Sequence, residues 1–209
     1  MSVRSSLLAI LTMGPAYGFQ LHGELGARTA GRRRVNVGQI YGTLERLVVQ
    51  GAVESAGSTP DGLPLYRLTD LGEEEATVWL NDTSNAAGDD WNEMLERVLI
   101  ASSLPHVDAA VIVSRYRDAW AGRRRCADLT AAPGEDASSG PAAASGQARL
   151  SAAADDAQAK AALEWLDAVG ALLGEAESSP GAAGDHRFHR ELSLERPKRG
   201  RRPALAAAP

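Results

Sequence analysis

Val35-Asn-Val-Gly-Gln-Ile-Tyr-Gly-Thr-Leu-Glu-Arg-Leu-Val-Val-Gln-Gly51 reads as one helix with two unlike faces. Asn36 is placed to cap it, because its side-chain oxygen can accept from the first free amides. Ile40, Leu44, Leu47 and Val48 recur at helical spacing and predict a buried stripe. Gln39, Thr43, Arg46 and Gln50 fall on another face, and none of them is acidic. Gly51 stands where a left-handed residue ends a helix. A rigid helix packed on one side, with amides, a hydroxyl and a guanidinium on the other, suits the major groove of DNA. An ordinary amphipathic surface helix has the same periodicity, so the flanks must decide.

Upstream, Leu7, Leu8, Ile10 and Leu11 predict a short first helix, and Gly14-Pro15 breaks it. A second helix is expected from Tyr17 or Gly18 to Arg28, with Phe19, Leu21 and Leu25 buried. Thr29 to Arg34 is a turn holding three successive arginines. Helix, turn and polar-faced helix is the helix-turn-helix order.

Downstream the period changes from helical to alternating. Ala52 to Ala56 reads as a strand, Thr59-Pro60-Asp61-Gly62 as a turn, and Leu63 to Leu68 as a returning strand. Thr69 or Asp70 caps a fourth helix running to about Asn81. The sum is a mainly α protein that opens with a winged helix-turn-helix of three helices and a two-stranded wing. Ser58 to Leu65 lacks lysine and arginine, so the wing tip offers phosphate little, and Arg67 on the strand is the candidate there.

Three blocks carry a family resemblance. They are Gly14-Pro15-Ala16-Tyr17-Gly18-Phe19-Gln20-Leu21, the span from Val35 to Val53, and Tyr66-Arg67-Leu68-Thr69-Asp70-Leu71-Gly72. In order and spacing they resemble the signature blocks of the PadR family of bacterial transcriptional regulators. Gly42 stands where many members have proline, and Val37-Gly38 where many have Pro-Gly. The resemblance implies a dimeric winged-helix repressor with a helical C-terminal dimerisation region, released from operator DNA by a small aromatic or drug-like effector. A winged helix serving protein–protein contact without DNA readout is the alternative.

The remainder is expected to be helical and then irregular. Asp89 to Ser103 predicts a helix with Met94, Leu95, Val98 and Leu99 on one side. Val107 to about Leu129 predicts a longer one with two apolar stripes, Val107, Ala110 and Val111, then Val113, Tyr116 and Trp120. Residues 131–147 are Ala-, Gly-, Ser- and Pro-rich and read as a flexible insertion. Asp155 to Glu177 predicts a last helix whose seam of Leu163, Leu166, Val169 and Leu173 needs a partner. The resemblance makes that partner the second subunit. The expected division is a winged-helix DNA-binding domain over 1–84, a helical dimerisation and effector region over 85–177, and a disordered basic tail over 178–209.

Charge distribution bears on the partner more than the net −5 does. Residues 1–50 hold six arginines against Glu24 and Glu45, and residues 185–209 hold seven Lys/Arg against three acids. Two basic ends on an acidic chain are a footprint for phosphate. The candidate DNA-binding residues are Tyr17, Arg32, Arg33, Arg34, Asn36, Gln39, Tyr41, Thr43, Arg46 and Arg67. Trp91, Trp120 and Trp165 are candidate walls for an effector, although tryptophans on helical stripes also serve as core. Pro197-Lys198-Arg199-Gly200-Arg201-Arg202-Pro203 is similar to the Arg-Gly-Arg-Pro core of minor-groove hooks, apart from the extra Arg202; a generic basic tail is the favoured reading.

No catalytic constellation is expected. His22, His106, His186 and His189 lack metal-ligand spacing, and the single Cys126 allows no internal disulfide. Neither cofactor nor metal is expected. With no bilayer-length apolar run and no signal-peptide pattern, the sequence reads as cytoplasmic.

Overall fold

The computed structural model describes residues 3–81, 91–131, 146–178 and 188–193. Its elements are α1 (Val3–Leu11), β1 (Ala16–Tyr17), α2 (Gly18–Arg28), α3 (Val37–Val49), β2 (Val53–Ser58), β3 (Pro64–Leu68), α4 (Asp70–Asn81), α5 (Trp91–Ser102), α6 (Ala109–Ala131) and α7 (Gly146–Ser178). Among the described residues the fold is mainly helical, with a small antiparallel sheet inside the N-terminal helices and four helices after its last strand.

α3 forms as its sequence dictates. Asn36 Oδ1 accepts from the Gln39 amide at 2.8 Å, and Gln39 Oε1 accepts from the Asn36 amide at 3.1 Å. This reciprocal box satisfies two donors that a helix start leaves open. Gly51, at φ 76°, ends the helix where most residues would be strained. Ile40, Leu44 and Leu47 are buried against Leu7, Leu8 and Ile10 of α1 and Leu21 and Leu25 of α2. Val48 does not join them; it is 42% exposed. Three residues per two turns already fill the contact, and Val48 falls past its edge. Phe19, expected inside, is 41% exposed for the same reason, and its ring meets His22 instead.

The sheet has three strands in the order β1-β3-β2, where two were expected. β1 pairs Ala16 with Tyr66 and Tyr17 with Leu65, which joins the start of α2 to the wing. β2 pairs Val53 with Leu68 and Ser55 with Tyr66, and the register slips between Ser55 and Ser58. α4 then packs on the helix-to-wing corner. The Thr69 hydroxyl donates to the Gly51 carbonyl at 2.6 Å, and the Thr69 amide donates to the Ala52 carbonyl at 3.2 Å. Gly72 sits so close to that corner that a Cβ there would lie 2.0 Å from the Ala52 carbonyl oxygen.

α5 joins the winged-helix core through Met94, Val98 and Ile100, and the same core continues into Tyr116, Trp120 and Leu166. Only the second expected stripe of α6 is buried: Val113 and Tyr116 lie inside, whereas Ala110 and Val111 face outward. α7 begins at Gly146, nine residues before the expected start, within the last two residues of the stretch read as an insertion; residues 132–145 lie outside the described residues. Its seam packs on α6 of the same chain. Ala159, Ala162 and Leu166 are buried there, and Arg117–Asp167 (2.7 Å) and Arg124–Asp156 (3.4 Å) flank the contact. The hydrogen bond from Lys160 and its charge, with Arg124 beside it, hold the Asp156 carboxyl below its usual range.

The tail departs most from expectation. Residues 188–193, read as part of a disordered tail, lie along α2 and the turn after α5. The basic run 196–202 and the boundary between 84 and 85 lie outside the described residues.

Candidate nucleic-acid interface

The outward side of α3 and the start of α1 form an open groove of about 720 Å³. Gly38, Gln39, Gly42, Arg46 and Gln50 line it from α3, and Val3 and Arg4 line it from α1. Gln39, Arg46 and Gln50 are exposed. The absence of side chains at 38 and 42 keeps the helix surface low between them, so a partner can approach the backbone there.

Thr43 differs from its expected role. It is 6% exposed, and its hydroxyl donates to the Gln39 carbonyl at 2.7 Å. The same oxygen accepts from Arg46 Nη2 at 3.1 Å. Thr43 thus lines the groove with a hydroxyl already engaged at both ends, and it orients the Arg46 guanidinium. Gln39 is accessible, but its amide oxygen is engaged with Asn36. Pairing with adenine through both amide atoms requires that capping bond to open; donation from its nitrogen alone does not. Asn36 is exposed, with its oxygen likewise committed to the cap.

Arg4, absent from the residues expected at the interface, belongs to this surface. Its Nε donates to Gln50 Oε1 at 3.2 Å, and Nη1 pairs with Glu75 of α4. A lone arginine at the start of an apolar helix gives no signal of its own; only packing of α1 beside α3 brings it to the groove.

Tyr41 is half-buried, with its ring against the start of α2. A Cβ on Gly18 would come within 2.6 Å of Tyr41 Cε1, so glycine is what admits the ring. Tyr66 of β3 lies nearby. Burial first, then Tyr41 and Glu45, push its phenol above the usual tyrosine range, which keeps it neutral. Tyr17, a candidate either for phosphate or for packing on the third helix, is only 6% exposed, and its hydroxyl is buried with no hydrogen-bond partner among the described residues. Pairing of β1 with β3 turned it inward.

The three arginines of the α2–α3 turn do not act alike. Arg32 and Arg34 are exposed, whereas Arg33 turns toward α5 and lies 3.7 Å from Glu96. Glu96 also accepts from Ser6 at 2.6 Å, which ties α5 to α1. Arg67 pairs across the wing with Glu54 at 2.7 Å, and both remain about half exposed. That pairing cancels much of the charge expected to meet phosphate.

The tryptophans divide in the same way. Trp91 and Trp165 meet edge to face, with ring centroids 5.7 Å apart. Trp120 is core: it is 1% exposed, its indole N–H points at Met94 Sδ at 3.1 Å, and the Arg123 guanidinium covers its ring. It is not a wall open to a ligand. Among the described residues, no group of three or more His, Cys, Asp or Glu could hold a metal ion. Nor is any described helix long and apolar enough to cross a membrane.

Residues 7–78 match the model of the Transcriptional regulator PadR-like family. Two solved structures of Bacillus subtilis PadR are similar to the chain. The one in complex with operator DNA is 18% identical with a TM-score of 0.38, and covers 81% of this chain and 97% of that one. The one in complex with p-coumaric acid is 19% identical with a TM-score of 0.36, at the same coverage. No curated protein matches the chain.

Proposed function

We propose that the chain, whose residues 7–78 match the model of the PadR-like family of transcriptional regulators, is a sequence-reading repressor acting as a homodimer. The observation that carries this reading is the exposed α3 face, with Arg46 held in position by Thr43. Arginine pairs bidentately with guanine O6 and N7, and a held guanidinium loses less entropy on binding. Arg32 and Arg34, both exposed, flank that face with charge for phosphate. Two such faces related by a twofold axis would enter successive major grooves about 34 Å apart. The long α6–α7 arm, which keeps exposed apolar residues such as Val111 and Leu172, is the proposed pairing surface.

Repression follows if the bound dimer occupies DNA that a polymerase needs. Release by a small aromatic ligand is a finer part of the proposal. It is supported by the Trp91–Trp165 pair, which joins α5 to α7 across the arm. A ligand parting those rings would change the spacing of the two reading heads and shift the population away from the binding arrangement.

A mobility-shift titration on the region upstream of the protein's own gene tests the reading, with an unrelated duplex as control. Retardation of the upstream duplex at lower protein concentration is expected. No retardation of either duplex at low salt, by a folded dimer, contradicts it and favours a winged helix used for protein contact.

A further inference from the structure

Glu75, Arg4 and Gln50 form a chain of contacts across three helices. Glu75 of α4 pairs with Arg4 Nη1, and Arg4 Nε donates to Gln50 Oε1 at 3.2 Å. An arginine side chain has donors and no acceptor, so the Gln50 atom that faces it is the oxygen. The Gln50 nitrogen, with its two N–H groups, is left for the groove that Gln50 lines together with Arg46. Arg4 and Glu75 are part-buried and neutralise one another, whereas Gln50 is exposed. Arg4 therefore meets a partner through Gln50 rather than through its own charge.

The place of Gln50 on α3 suits readout. Gln39, Thr43, Arg46 and Gln50 are spaced four, three and four residues apart, so they stand in one row along the helix. Arg46 and Gln50 are separated by about 6 Å of helical rise, close to two base-pair steps of about 3.4 Å. The Gln50 amide donates to the Arg46 carbonyl at 2.9 Å, which fixes its backbone to the end of the same helix.

A free glutamine pairs with adenine through both halves of its amide, the oxygen accepting from N6 and the nitrogen donating to N7. That mode is closed to Gln50 while Arg4 holds the oxygen. A donor-only amide fits guanine, which shows O6 and N7 in the major groove, or thymine, which shows O4. Every base pair holds one such keto base and one amino base. The restriction thus selects which strand carries the keto base.

We propose that Gln50 is a second base-reading residue, specific for a keto base within about two pairs of the guanine contacted by Arg46. Arg4, pinned by Glu75, sets that preference by holding the amide oxygen. The inference rests on the DNA reading above and names a further specificity determinant for it.

Selection from a randomised duplex library tests it, with full-length native, Gln50→Ala, Gln50→Glu, Arg4→Met and Glu75→Gln proteins, each checked for native melting. The native chain should favour a keto base at one position by roughly three- to tenfold. Gln50→Ala should flatten that position and leave the Arg46-dependent guanine in place. Gln50→Glu keeps an oxygen for Arg4 but presents only acceptors, so it should invert the preference to an amino base. Arg4→Met frees the amide and should admit adenine there. Glu75→Gln loosens Arg4 from outside the groove and should shift the profile the same way, by less. An unchanged profile for Gln50→Ala, or a retained keto preference for Gln50→Glu, would overturn the reading role. Native profiles for Arg4→Met and Glu75→Gln would overturn the positioning by Arg4. A native chain that enriches no sequence would overturn the DNA reading itself, whereas enrichment that the Gln50 variants leave unaltered overturns this inference alone.

Discussion

The Arg46 guanidinium donates to the Thr43 hydroxyl at 3.1 Å, one turn back on the same helix, while that hydroxyl donates to the Gln39 carbonyl. Thr43 is covered and Arg46 is open, so one residue aims the other. Thr43→Val keeps the shape and removes the acceptor. It should leave stability within about 1 kcal/mol, because the helix loses no backbone bond. Specific DNA affinity should fall by less than Arg46→Ala costs. Thermal melting and fluorescence anisotropy measure the two effects separately.

Tyr17→Phe should be neutral or stabilising. The native hydroxyl is buried with no hydrogen-bond partner among the described residues, a state that costs about 1–3 kcal/mol. Urea unfolding should show an equal or higher midpoint, with DNA affinity preserved. A loss of affinity without loss of stability would mean that the hydroxyl reaches DNA after rearrangement.

Gly72→Ala should destabilise despite the better helix propensity of alanine. Its Cβ would fall 2.0 Å from the Ala52 carbonyl oxygen, which already accepts from the Thr69 amide. Overpacking against backbone costs about 1–3 kcal/mol, against a propensity gain of about 1 kcal/mol. Chemical denaturation should therefore show a net loss.

Arg28→Lys should cost more than its retained charge suggests. Burial draws the Arg28 pKa below the usual arginine value, and Glu24 opposes that shift. The fork serves Glu24, Ser103 and Arg190 from three different nitrogens, and an ammonium cannot match that geometry. A loss of about 1–3 kcal/mol is expected, from the buried carbonyls left without their donors, and is read by denaturant unfolding.

The winged helix was legible because local chemistry and global packing agree there. Asn36, the Ile40–Leu44–Leu47 stripe and Gly51 each announce the same helix. β1 was not legible, since two residues cannot display an alternating period, and its pairing turns Tyr17 inward. Helical spacing placed Thr43 on the polar side, but it could not show that the hydroxyl would be spent on Gln39 and Arg46. Charge runs likewise gave no orientation: Arg33 turns to Glu96, and Arg67 to Glu54, because partners remote in sequence arrive only on folding. The docking of residues 188–193 on α2 was hidden by the composition of that stretch, polar and bordered by Gly and Pro. The groups that hold it, Glu24 and Arg28, lie far upstream, and nothing in the sequence ties them to it.

The central claim is that the exposed side of α3 reads bases through Arg46. Anisotropy titration of native and Arg46→Ala protein against the upstream duplex and an unrelated duplex tests it most directly. A loss of about 1–3 kcal/mol on the upstream duplex, with little change on the unrelated one and unchanged melting, is the expected result. Equal affinity of the two proteins for the upstream duplex would contradict it.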